Sequence, residues 1–144
     1  MSNPNRPIVM SIVQYTDAIE SQKMTVLELV EKAGELDVDG IELRRELWGD
    51  GMNEELPAVK QKIESLNLQV TFATHDVLFC EGDDYDQLLA DVDTAAQIGS
   101  PLLRIFSGPV PTDENDPAWD KAKAVIDRAE KNGILIALEN YANS

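Results

Sequence analysis

Cysteine occurs once in this chain, at Cys80, and histidine once, at His75. A lone cysteine forms no internal disulfide, which fits a reducing, cytoplasmic setting. Basic residues are scarce as well: 12 Lys and Arg stand against 27 Asp and Glu, a formal charge of −15. Nucleic-acid binders neutralise phosphates with clustered Lys and Arg, and no stretch here gathers four of them. An anionic membrane surface repels the same charge. No apolar run approaches the roughly 20 residues that span a bilayer. The opening MSNPNRPIVMSIV has neither the apolar segment nor the small-residue cleavage site of a signal peptide. That leaves a small molecule, or another copy of the chain, as the expected partner.

What is present reads as a folded domain. At 144 residues, 43% of them hydrophobic and 27% charged, residues 1–144 make one domain with a proper core. Short apolar runs recur: Pro7 to Val13, Val38 to Leu43, Leu68 to Ala73, Leu102 to Phe106 and Ile134 to Leu138. Their spacing of about 30 to 34 residues matches a strand–helix–strand unit. Runs of this kind suit strands buried on both faces of a parallel sheet.

Helical patterns fill the intervals. Thr25 and Glu28 form a capping-box signature, after which Val26, Leu29, Val30 and Ala33 share a face. A second helix is expected to begin near Glu54 and Glu55, with Pro57 in its first turn, followed by Val59, Ile63 and Leu66. Leu88, Val92 and Ala95 mark a third face that stops at Gly99. The fourth opens on Asp116 as N-cap and Pro117 at the first position. It turns Ala122, Val125, Ile126 and Ala129 inward and ends at Gly133.

The order is therefore β-α-β-α-β-α-β-α-β, an α/β pattern of about four and a half parallel βα units. A nucleotide-binding sheet carries a glycine-rich turn after its first strand. Here that turn reads SIVQYTDAIES, without glycine. The alternative is part of a TIM barrel, whose complete form takes about 250 residues.

In either architecture ligands bind at the carboxyl ends of the strands. With the apolar alternates facing helices, the other register presents Glu42, Arg44, His75, Arg104 and Glu139, with the small Ala73 and Ala137 beneath. Glu42 and Arg44 read equally well as an ordinary ion pair, and a lone histidine is more often a packing residue than a ligand. A guanidinium inside an apolar strand needs an anion; for Arg104 the candidates are Glu42, Glu139 or a substrate phosphate. Other features read as structure. Asp83-Asp84-Tyr85-Asp86 lacks the glycine and glutamate of a calcium loop and is a helix start. Cys80 has no cationic neighbour to make it a nucleophile. Ser107-Gly108-Pro109 is a loop, and Trp48 and Trp119 are packing residues.

Taken together, GIELRRELW, QVTFATHDVLF, GSPLLRIFSG and AEKNGILIALENYANS resemble the sugar-phosphate isomerase/epimerase family with its xylose-isomerase-like TIM barrel. The likeness runs from Ile8 to Asn140 and covers the N-terminal half of that fold, LEN at residues 138–140 being its most specific part. It implies a divalent ion (Mn, Mg, Co or Zn) at the strand ends, acting as a Lewis acid on sugar oxygens. It implies Glu139 as metal ligand and catalytic acid/base, and Glu42, His75 and Arg104 as substrate-binding residues for a sugar or sugar phosphate, which Arg44 joins through strand alternation alone. The family's later metal ligands come from strands that this chain lacks, so the ion is expected to bind weakly or not at all here. A DNA-cleaving branch of the superfamily needs several histidines and a DNA-attracting surface, which this composition does not offer. Two expectations follow for the end at Ser144: a truncation, or two copies pairing their half-barrels into a homodimer.

Overall fold

The computed structural model describes residues 6–140; the end at Ser144 lies outside them. The chain divides into two compact units, Met1–Ala73 and Thr74–Ser144.

In the first unit the strands are β1 (Val9–Ser11), β2 (Gly40–Arg44) and the opening residues of β3 (Gln69–Val77), in the order β1-β2-β3. Both pairs are parallel, with Ser11 beside Glu42, Glu42 beside Thr71 and Arg44 beside Ala73. Helices α1 (Thr16–Glu20), α2 (Val26–Glu35), α3 (Arg45–Trp48) and α4 (Met52–Ser65) make the connections. Thr25 caps α2 in the expected box, its hydroxyl accepting from the Glu28 amide while the Glu28 carboxylate accepts from its own. Val26, Leu29, Val30 and Ala33 from α2, with Met52, Leu56, Val59 and Ile63 from α4, are buried with Ile41, Leu43, Val70 and Phe72 of the strands. Gly40 permits the β2–β3 approach, because a Cβ there would stand 2.7 Å from the Gln69 carbonyl oxygen.

Three local expectations need correction. Helix α4 starts at Met52, not near Glu54, so Pro57 falls in its second turn. Burial of Met52 and a 2.7 Å hydrogen bond from Trp48 Nε1 to Glu55 anchor that earlier start. Leu66 ends up half-exposed. The first apolar run is a strand only over Val9–Ser11, because the Ser11 hydroxyl accepts from the Val13 amide and caps a 3₁₀ turn, Ile12–Tyr15.

In the second unit the order is β3-β4-β5, β4 being Leu102–Phe106 and β5 Leu135–Glu139. The β4–β5 pair is parallel. Helices α5 (Gly82–Ile98) and α6 (Ala118–Lys131) bury Leu88, Val92, Ala95 and Ile98, and Ala122, Val125 and Ala129, together with Leu103 and Ile105. Gly99, at φ +89°, closes α5 in the left-handed conformation that glycine adopts without strain. Helix α6 starts at Ala118 with Pro117, not Asp116, in the N-cap position, while the Asp116 carboxylate one residue earlier accepts from the Ala118 amide. At the other end of α6 the Ile134 amide donates to the Ala129 carbonyl at 2.8 Å. Ile134 thereby belongs to the helix cap, which is why β5 begins at Leu135. Ile126, expected inward, is half-exposed and lines an apolar groove with Ala129, Ile134, Ile136 and Leu138.

One surface pair in this unit has a pH consequence. Arg128 meets Asp93 through two hydrogen bonds, at 2.9 and 2.6 Å. That contact holds the Asp93 carboxyl below its ordinary range. A carboxylate with a depressed folded value adds stability above its unfolded value and loses it as pH falls through the folded one. Asp93→Asn is therefore expected to give up a small increment of stability at neutral pH, small because the pair is exposed, and to flatten the acid limb below about pH 4 by that same amount. Urea unfolding at several pH values checks this; parallel acid limbs for both proteins would refute it.

Five strands with helices between them make an α/β fold, a partial TIM barrel of parallel βα repeats. Among the described residues no helix is long and apolar enough to cross a membrane.

Candidate functional site

Strand alternation builds the candidate site. In β2, Ile41 and Leu43 are fully buried against helices, so Glu42 and Arg44 take the opposite face. The Arg44 Nε donates to Glu42 Oε1 at 3.0 Å, and the Ser11 hydroxyl donates to the same oxygen at 2.9 Å. Glu42 is thus an anchored acceptor on the first unit, with Arg44 turned across its own strand to meet it. Ser11 had no signal in the sequence. Only the register that sets it beside Glu42 reveals it.

In β4, Leu103 and Ile105 are fully buried, which gives Arg104 the other face with Phe106. The β4–β5 register puts Ala137 beside Arg104 and Glu139 beside Phe106. Small Ala137 leaves room for the guanidinium to reach the end of β5. There Arg104 Nη1 lies 2.6 Å from Glu139 Oε2, one of the anionic partners expected for it. The arginine side chain is 13% exposed and the glutamate 49%. The contact is an ion pair without hydrogen-bond alignment: Nη1 and Nη2 are both buried, and neither has a hydrogen-bond partner among the described residues. The guanidinium carbon sits 5.1 Å from the Phe106 ring centre, a cation–π distance. His75, at an exposed position of β3, brings its ring to 6.2 Å from that of Phe106. In this unit, then, Arg104 and Glu139 are in contact and His75 shares an aromatic neighbour with them.

The features read as structure in the sequence have ordinary roles. Trp48 is buried, and Trp119 packs edge-on against Phe79 at 5.0 Å. Asp83 and Asp84 occupy the first turn of α5, where their charge suits the helix dipole. Burial pushes the Cys80 thiol up, and Asp76 and Asp84 add to the effect. A raised thiol is a poor nucleophile.

A metal needs a set of donors. Among the described residues no group of three or more His, Cys, Asp or Glu is placed to hold an ion, and one oxygen of Glu139 faces a guanidinium. These residues do not make a metal site by themselves.

The class of protein that shares this fold is defined by solved structures. No family model and no curated sequence matches the chain. A protein from Sinorhizobium meliloti 1021 superposes with a TM-score of 0.65 at 17% identity, over 92% of this chain and 50% of that one. A xylose isomerase domain protein from Planctomyces limnophilus gives 0.59 at 18% identity, over 77% and 47%. D-psicose 3-epimerase from Clostridium cellulolyticum H10, solved with D-tagatose, gives 0.63 at 12% identity, over 94% and 55%. The fold is the one these sugar epimerases and xylose isomerase domain proteins have, and the chain spans about half the length of each.

Proposed function

We propose that this chain supplies half of a cytoplasmic isomerase or epimerase of sugars or sugar phosphates, with Glu139 as its proton-transfer group. The observation that carries the reading is the position of Glu139: at the carboxyl end of β5, against a guanidinium, in a fold shared with sugar epimerases. Isomerisation and epimerisation both remove a proton from the carbon beside a carbonyl and return it. A carboxylate at a strand end suits that transfer. Arg104 and His75, on the same unit as Glu139, would bind the sugar or its phosphate. A divalent ion (Mn, Mg, Co or Zn) would supply Lewis-acid chemistry at the carbonyl. Glu139 would offer it one oxygen. The test is turnover of ketoses and their phosphates with each of these ions, by the complete protein and by its Glu139→Gln variant. Turnover that survives the substitution sinks the assignment.

A second reading is a non-catalytic half-barrel that pairs with another copy. Leu135 and Leu138 of β5 are 66% and 51% exposed, and the groove beside them, about 500 Å³, is mostly apolar. Light scattering is expected to show a dimer, and a clean monomer at high micromolar concentration rules this reading out.

A further inference from the structure

We propose that Arg104 is an oxyanion-binding side chain, that Glu139 is its exchangeable internal partner, and that the ligand here carries a phosphate monoester. The inference rests on the strand-end assignment above and narrows its substrate class from sugars in general to phosphorylated ones.

The argument begins with unmade hydrogen bonds. Among the described residues, Arg104 Nη1 and Nη2 are buried without a hydrogen-bond partner, a costly state for donors that water would otherwise satisfy. Glu139 neutralises the charge but does not fill the fork, since its Oε2 meets Nη1 alone, at 2.6 Å and out of line. The two members of the pair also differ in how firmly they are held. Arg104 extends from the middle of β4, between the fully buried Leu103 and Ile105, and its guanidinium lies over Phe106. Glu139 is the last residue of β5 and half-exposed. The carboxylate is therefore the member that can turn into water, where its charge is readily solvated, and its departure uncovers the guanidinium. A phosphate monoester then fits better than the carboxylate it displaces. It presents several oxygens to the planar fork and carries more negative charge at neutral pH.

The test titrates the chain with inorganic phosphate at constant ionic strength, following the Arg104 Nε–H and the Ile105 and Phe106 amides by NMR. Saturable shifts are expected for the wild type. Glu139→Gln, which removes the competing charge, should tighten phosphate binding about tenfold. Arg104→Lys keeps the charge but loses the fork and should weaken it by about tenfold. Sulfate should reproduce the shifts and chloride should not, which separates a tetrahedral oxyanion from screening. Absence of saturable shifts in both the wild type and Glu139→Gln overturns the proposal. Equal affinity in those two proteins overturns it as well, and so does an Arg104→Lys variant that binds as tightly as the wild type. Binding and turnover report separately: a protein that binds phosphate in this pattern but converts no sugar refutes the isomerase reading and leaves this one standing.

Discussion

Glu139→Gln is expected to lower turnover of a ketose or ketose phosphate by about 100- to 10,000-fold, the range typical of a lost acid–base group. The amide keeps the size of the carboxylate and cannot accept the substrate proton. It also sits where a change of charge does little to the core, because Glu139 is half-exposed and ends its strand. A folded but inactive variant is the expected result, read from initial rates beside a urea unfolding curve. The comparison with Arg104 sharpens it. If the two act as a pair on one substrate, Arg104→Lys should lose less than Glu139→Gln, since it retains the positive charge. Rates that fall equally with unfolding of both variants would instead make the pair structural.

Phe72→Ala is expected to cost about 3–5 kcal/mol of stability, as large-to-small changes of buried aromatic residues do. Phe72 is fully buried in β3, directly beside Leu43 in the β2 register, and α2 and α4 contribute the rest of the core around these strands. Truncation removes the ring from that core and leaves a cavity that the paired strands cannot close by shifting. Folded domains have only about 5–15 kcal/mol in total, so the variant should melt roughly 10–20 °C lower or fail to fold at room temperature. A change in midpoint equivalent to less than about 1 kcal/mol would mean that the first unit is not held by this core. Thermal or urea unfolding followed by circular dichroism decides the matter.

The core and the order of elements were legible because they depend on local pattern. Ile41 and Leu43, Leu103 and Ile105, and the helix faces at Leu29 and Val92 are buried as their periodicity requires. The cap at Thr25, the Asp116 hydrogen bond at the start of α6 and the stop at Gly99 are likewise set by a few consecutive residues. Boundaries were less legible wherever a distant contact outweighed propensity. The early start of α4 depends on Trp48 reaching Glu55, and the cap at Ile134 takes a residue that its apolar run assigns to β5. Ile126 shows the same limit: its helical position places it inward, but it borders the β5 groove instead.

The candidate site divides along the same line. The sequence by itself determined which residues face away from the helices, because a strand alternates with period two whatever its neighbours are. Glu42, Arg44, Arg104 and Glu139 follow from that rule alone. Only the tertiary structure decided their partners. Parallel register sets Ser11 beside Glu42 and lets Arg104 pass small Ala137 to reach Glu139. Register is set by pairing between segments about 30 residues apart, a distance at which no local propensity acts.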